Sequence, residues 1–279
     1  MSILKKHQPT EISIKELHDL IGIIKHVHGF DFSEYSEASF KRQVTKVLQL
    51  QKLSVFDLRS LLINDQAYFE QFLLKITVNV TEMFRDPLFY KSIRENILPY
   101  LNSYQRIKVW NAGCSSGEEL YSFAILFAEE HLYDRSFFYG TDINSDVLKI
   151  AKNGIYTLNK MKHNSENYRE SGALQSLSRY YTAKYDAVSI KHSIKKNVLF
   201  SIHNLVSDGV FNEFQVISCR NVLIYFNRDL QNKVLELFYH SLASFGFLCL
   251  GSKETLSHTH LKSRFKIIDK RHNIYQRID

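Results

Sequence analysis

Three prolines and ten glycines in 279 residues are too few for a long disordered or repeat-rich stretch. Cysteine is as scarce. Cys114, Cys219 and Cys249 are odd in number and widely spaced, so they form neither a disulfide framework nor a C-x-x-C metal site. Reduced thiols, mostly buried, in a cytoplasmic protein are expected. Long hydrophobic runs are missing as well. Residues 245–250, the most apolar stretch late in the chain, are far too few to span a bilayer. The opening MSILKKHQPTE lacks the apolar core of a signal peptide. No membrane insertion is expected, and no internal repeat is visible.

What is present is 44% hydrophobic residues, enough for a sizeable core, in a chain long enough for one large domain or two modest ones. The net charge of +7 has two readings. It can serve solubility, or it can meet an acidic partner: nucleic acid, an anionic membrane face or an acidic protein surface. Charge alone does not choose.

The first 80 residues read as helical. Ser13 and Glu16 fit a capping box ahead of Leu17, Leu20, Ile21 and Ile24 at helical spacing. A second helix is expected over Glu37–Gln51, with Phe40, Val44, Val47 and Leu48 on one face and Lys41, Arg42 and Lys46 on the other. Ser54 can cap a third helix carrying Val55, Leu58, Leu61 and Leu62, and a fourth runs through Tyr68, Phe72 and Leu73. No strand signal precedes Arg106. Strands and helices then alternate: strands at residues 107–112, 137–140, 198–202, 214–218 and 247–250, and helices near 118–130, after Ser145 as N-cap, and near 228–242. A hairpin over 264–268 and 273–277 closes the chain. This alternation predicts an α/β fold with a mostly parallel, doubly wound sheet covered on both faces. Residues 168–196 break the rhythm with short β-like runs. They are read as a small β insertion, with a surface loop as the alternative.

In such folds the ligand sits beyond the carboxyl ends of the strands. The first strand ends in Gly113-Cys114-Ser115-Ser116-Gly117-Glu118-Glu119, which is not G-x-G-x-x-G. Small residues allow close approach of a ligand, but an acidic first helical turn repels a pyrophosphate. It suits a ligand with an amine and a sulfonium, such as S-adenosylmethionine. The same glutamates can instead simply stabilise the first turn of the helix. Asp142, at the end of the second strand, can accept from both ribose hydroxyls, or can cap the next helix. Arg220 and Asn221 fall where the fourth main strand reaches the cleft.

Five blocks taken together, Asn79-Val80-Thr81-x-x-Phe84-Arg85-Asp86, Gly113 to Ser122, Thr141-Asp142-Ile143-Asn144, Gly154-Ile155-Tyr156 and Cys219 to Phe226, resemble the chemotaxis receptor methyltransferase (CheR-type) family. The resemblance runs in order over about residues 75–277. It implies an all-helical N-terminal domain (1–80) and a Rossmann-like class I S-adenosylmethionine-dependent methyltransferase domain (81–279) with a small antiparallel β-subdomain (about 168–196) inserted. It also implies that Asn79, Thr81 and Arg85 contact the methionine end of the cofactor and the reaction centre. Glu119 and Asp142 would hold its amine and ribose, Asn204 and Leu205 would flank adenine, and Arg220 and Asn221 would close the pocket. Tyr225 would face the substrate. Two positions depart from the family pattern: Leu120 replaces a proline, and Met83 stands where an aromatic is common.

The implied reaction is methyl transfer to glutamate carboxylates on the cytoplasmic helices of methyl-accepting chemoreceptors, with S-adenosylhomocysteine as product. An exposed glutamate is already ionised near neutral pH, so no general base is needed. Arg85, with Tyr225 as a second donor, is expected to orient it. The basic helix with Lys41, Arg42 and Lys46 has a candidate use in docking to acidic receptor helices. Some relatives tether to a receptor's C-terminal peptide through a glycine-containing loop of the β-subdomain. Residues 180–188 here have no glycine, so no such tether is expected. A monomer without nucleic-acid partner or metal is expected. His258 and His260 read as loop residues, because spacing places no third ligand. Three alternatives remain: an RNA methyltransferase, a different protein substrate, and a cofactor-binding regulatory module without turnover.

Overall fold

The computed structural model describes residues 11–77 and 81–279. Contacts divide them into two units: residues 11–77 with Tyr225–Gln231, and residues 81–224 with 232–279.

The first unit is built on four helices: α1 (Ile14–His28), α2 (Glu37–Gln51), α3 (Val55–Asn64) and α4 (Gln66–Ile76). Their starts are fixed locally. Ser13 and Glu16, and Ser54 and Asp57, form reciprocal capping boxes, and Asp65 accepts from the Tyr68 N–H. α1 ends at Gly29 in the left-handed region (φ 72°), where glycine carries no Cβ penalty. The apolar stripes meet in a core of Leu17, Leu20, Ile24, Val44, Leu58 and Phe72. His28 stacks on Phe69 at 3.7 Å, with its Nε2 2.6 Å from the Leu62 carbonyl. The Tyr225–Gln231 segment joins this unit through main chain: Ser36 N–H donates to the Tyr225 carbonyl and Asn227 N–H to that of Glu34, both at 2.8 Å.

The second unit begins with two helices beyond those expected, α5 (Pro87–Asn96) and α6 (Leu98–Leu101). Proline at the first position of α5 is pre-set for a helical φ and gives up no intrahelical donor. Phe89, Tyr90 and Ile93 form its buried face. The remaining elements, in order, are β1 (Ile107–Ala112), α7 (Glu118–Glu129), β2 (Ser136–Asp142), α8 (Ser145–Asn153), β3 (Ile155–Thr157), α9 (Met161–Glu170), β4 (Tyr181–Lys184), β5 (Ala187–Ile190), α10 (His192–Lys195), β6 (Val198–Ile202), β7 (Phe214–Cys219), α11 (Arg228–Ser241), β8 (Leu242–Leu250), β9 (Phe265–Asp269) and β10 (Ile274–Arg277).

The main sheet has seven strands in the order β6-β2-β1-β7-β8-β10-β9. The first five are parallel, and β10 runs antiparallel to both β8 and β9. The order reverses between β1 and β7, which creates the crevice where doubly wound folds bind ligands. Every residue of β7 is buried, as a strand covered on both faces requires.

Three expectations need correction. The N-cap of α8 is Asn144, not Ser145: its Oδ1 accepts from the Asp146 and Val147 N–H groups, and Ser145 is the first helical residue. β8 is longer than expected and starts at Leu242, directly after α11. A register shift against β7 and a positive φ at Phe245 make its first half irregular. The short β runs of residues 168–196 pair as β4 and β5 but depend on a strand outside that segment. β3, directly after Gly154, completes the sheet in the order β3-β5-β4. Its three residues are too few to carry a strand signal of their own. None of the helices among the described residues is long and apolar enough to cross a membrane.

Candidate functional site

The carboxyl end of β1 turns sharply at Gly113 (φ 72°) and Gly117 (φ 90°) before α7 begins. Both glycines are needed on two counts: the φ, and the space. A Cβ on Gly113 would stand 2.4 Å from Cγ2 of Val222, and one on Gly117 would stand 2.9 Å from Cβ of Ala151. The turn is tied to its neighbours. Tyr156 donates its hydroxyl to the Ser116 carbonyl at 2.7 Å, and the Ser115 N–H donates to Asp142 Oδ2 at 2.8 Å.

At the floor lies an arginine–carboxylate network. Arg220, whose side chain is 2% exposed, donates through Nη1 to Glu119 Oε2 at 3.0 Å and to the Arg85 carbonyl at 3.4 Å. Its Nη2 pairs with Asp86, and its guanidinium lies 4.0 Å from the centroid of the Phe89 ring. Glu119 also accepts from Asn111 Nδ2 at 2.9 Å and Ser218 Oγ at 2.7 Å. A carboxylate has about four lone-pair sites. These three donors leave Glu119 one acceptor direction. The loop that delivers Arg85 and Asp86 is held by Ser122, which accepts from the Phe84 N–H at 2.9 Å. Phe84 and Asp86, on either side of half-buried Arg85, both take positive φ (55° and 59°). Two such non-glycine residues around one side chain are backbone strain of the kind found at functional sites.

Asp142 closes β2. Burial pushes its carboxyl above the usual range, opposed by the backbone N–H groups of Asn144, Ser115 and Ile143. Its role as a helix cap is taken by Asn144. Burial likewise raises Glu118, against a hydrogen bond from Ser116 Oγ at 2.7 Å. Burial raises all three thiols, Cys114, Cys219 and Cys249, which makes them poor nucleophiles. Among the described residues no group of His, Cys, Asp and Glu is arranged to hold a metal ion.

The expected site residues fall into separate places. Arg85, Glu119 and Arg220 share one network. Asp142 stands across the β1 turn from it, joined through Ser115, and Asn221 follows Arg220 on a bed described below. Thr81 is half-buried. Asn204 and Leu205 form a turn after β6, in which Asn204 Oδ1 accepts from Val206 N–H at 3.0 Å. Tyr225 belongs to the other unit, as do Lys41, Arg42 and Lys46 on α2. Arg42 and Lys46 are exposed, while Lys41 is half-buried and 3.4 Å from Glu11. Asn79 lies outside the described residues.

Asp86, Asn111, Ser218 and Glu254 were not expected to act, yet all four hold the network or the strand end beside it. Asp86 had a sequence signal in the motif that contains it; the only hint for Glu254, three residues past the Gly251 that follows β8, is an acid just beyond the carboxyl end of a main-sheet strand.

The residues fit S-adenosylmethionine. Acceptor carboxylates at Glu119 and Asp142 suit an ammonium and a ribose diol. The buried Asn111 Oδ1 and Ser115 Oγ, both at the β1 end, have no hydrogen-bond partner among the described residues. Buried polar atoms are rarely left so without a ligand or water.

Comparison with known proteins agrees. The CheR methyltransferase, SAM binding domain, family model matches residues 79–274. A Pseudomonas putida protein whose name includes "methyltransferase Cher3" is 44% identical over 94% of this chain and 96% of its own. The chemotaxis protein methyltransferase of Listeria monocytogenes is 30% identical over 84% of this chain and 87% of its own. Among solved structures, PKMT2 from Rickettsia typhi with AdoHcy covers 62% of this chain and 26% of its own at 17% identity, with a TM-score of 0.37, too slight a likeness to argue from. The cofactor is S-adenosylmethionine, and the chain belongs to the CheR methyltransferase family.

Proposed function

We propose that the protein methylates glutamate side chains on the cytoplasmic helices of chemoreceptors, giving glutamyl methyl esters. The observation that carries this reading is the site's chemistry within a chain of this family. Carboxylates and guanidinium groups gather at the β1 and β7 ends, and the buried thiols are disarmed by their raised pKa values. A carboxylate nucleophile is already ionised and needs no base, so a guanidinium such as that of Arg85 can orient it directly. The name of the Listeria relative, chemotaxis protein methyltransferase, points to the same pathway.

The bound cofactor supplies an electrophilic methyl on a sulfonium. The chain's residues supply the rest. Glu119 and Asp142 hold the cofactor's amine and ribose, Asn204 and Leu205 flank its adenine, and Asn79, Thr81, Arg220 and Asn221 complete the pocket. Arg85 and Tyr225 orient the attacking carboxylate. Alignment of this kind contributes about 7–11 kcal/mol in favourable cases. A single contact from Arg85 serves better than a bidentate clamp, which would hold the nucleophile too tightly.

On this reading residues 1–80 dock the receptor. Exposed Arg42 and Lys46 meet its acidic helix, with Lys41 contributing less because it lies beside Glu11. The protein works as a cytoplasmic monomer, and no receptor-tail tether forms. The turn between β4 and β5 puts Tyr185, not glycine, in the left-handed region (φ 54°).

Incubation with chemoreceptor-containing membranes and radiolabelled S-adenosylmethionine tests the reading. Label on a receptor-sized band that brief alkali removes supports it. Alkali-stable label, or label in RNA alone, sinks it. Arg85→Ala should lower turnover far more than it weakens cofactor binding, and full turnover with normal cofactor affinity in that variant removes the orienting role.

A further inference from the structure

Glu254 is buried, 5% exposed, with no cation beside its carboxylate in any described ion pair. It is satisfied by backbone instead. Oε2 accepts from Gly251 N–H at 2.6 Å and from Asn221 N–H at 3.1 Å; Oε1 accepts from Val222 N–H at 2.9 Å. The Ile224 N–H also points to it. One carboxylate thus gathers the main chain of two segments, the end of β8 and the stretch after β7.

The stretch it holds is strained. Asn221 takes φ 63°, a conformation uncommon outside glycine. The space is closed from both sides. A Cβ on Gly251 would lie 2.6 Å from Glu254 Oε2 and 2.8 Å from the Asn221 nitrogen. Val222 lies against Gly113, the first glycine of the β1 turn. Any shift of residues 220–222 therefore moves Arg220, Asn221 and the Gly113 turn together.

We propose that Glu254 is a positioning residue for S-adenosylmethionine, holding Asn221 and Val222 where they wall the cofactor against the Gly113 turn. This rests on the assignment of Arg220 and Asn221 to the cofactor pocket. Glu254 does not touch the cofactor; it acts through Asn221 and Val222. Burial raises the Glu254 carboxyl above its ordinary range, opposed by the N–H groups of Gly251, Asn221, Ile224 and Val222 that converge on it. A glutamine keeps the shape but turns an amide N–H₂ toward backbone donors, so it releases part of the bed.

The test is calorimetric binding of S-adenosylhomocysteine to the full chain, with thermal melting alongside. Wild-type protein must bind; failure there defeats the cofactor pocket itself and this inference with it. E254Q should raise Kd about tenfold, as the loss of charged hydrogen bonds implies. In an Asn221→Ala background the same change should move Kd by clearly less than it does in wild type, the remainder passing through Val222, while the melting loss persists. That pattern separates positioning from general loosening. An unchanged Kd in folded E254Q overturns the proposal, as does an equal tenfold loss in both backgrounds. If E254Q does not fold, Gly251→Ala keeps the charged carboxylate but pushes it off the Asn221 and Val222 N–H groups. It should weaken binding by a similar factor, and normal binding in folded Gly251→Ala overturns the proposal.

Discussion

The helix caps of the helical unit and the buried network of the sheet unit satisfy their polar groups at different distances along the chain. In the helices Ser13 bonds Glu16, Ser54 bonds Asp57 and Asp65 bonds Tyr68, each three residues away. In the sheet unit Glu119 is reached by Ser218 and Arg220, 99 and 101 residues on, and Ser92 bonds Asp269 across 177. The helical pairs are also exposed, whereas the Arg220–Glu119 pair is buried. Exposed local pairs contribute little each and can be lost singly. A buried pair is costly to break, because removing one partner strands the other. The sheet unit has concentrated buried polar groups where the loss of one disturbs several, and that place is the proposed cofactor site.

The comparison predicts a graded series. Arg220→Ala should cost most, about 3–5 kcal/mol by urea denaturation, since Glu119 is left as an unpaired buried acid; cofactor binding should go with it. A loss under about 1 kcal/mol would put this pair on a par with the exposed ones. Gly113→Ala comes next. Its Cβ meets Val222 and its φ is positive, so about 1–3 kcal/mol and a weakened cofactor Kd are expected. Ser54→Ala removes a cap from α3 and should cost about 1 kcal/mol in a thermal or urea melt, with cofactor Kd unchanged. A changed Kd there would break the separation between local and distant polar groups. The smallest effect is in acid. Asp31 sits at about 2, held down by Lys25 and by Ser33. A depressed acid stabilises above its unfolded value near 3.8 and loses that contribution as pH falls toward 2. The urea midpoint should therefore drop over this window, and Asp31→Asn should flatten part of the drop.

This difference in distance also explains what could be read in advance. α1 to α3 were legible because their caps and stripes are local, and α2 matches its expected bounds, Glu37–Gln51. β1 and β6, short and mostly apolar runs rich in β-branched and aromatic residues, were equally plain. β8 was half-hidden because α11 runs into it without a turn and its bulge at Phe245 imitates one. β3 was invisible, being three residues whose partner β5 lies far along the chain. At the proposed site, Glu119, Asp142 and Arg220 were picked out by strand ends and resemblance. Glu254 did not, since an acid satisfied by backbone N–H groups looks like any surface acid until the chain is folded. Asp86 stood inside a quoted motif with no partner in sight, because its partner Arg220 is 134 residues away.

The central claim is that a carboxylate of the receptor accepts the methyl group. The most direct measurement is mass spectrometry of a purified receptor cytoplasmic fragment after reaction with S-adenosylmethionine, beside a fragment carrying Gln at the modified positions. The account predicts one added methyl on glutamate, matched by S-adenosylhomocysteine formed, reversed by alkali and absent where Gln stands. A methyl that survives alkali, or that sits on a nitrogen, would contradict it.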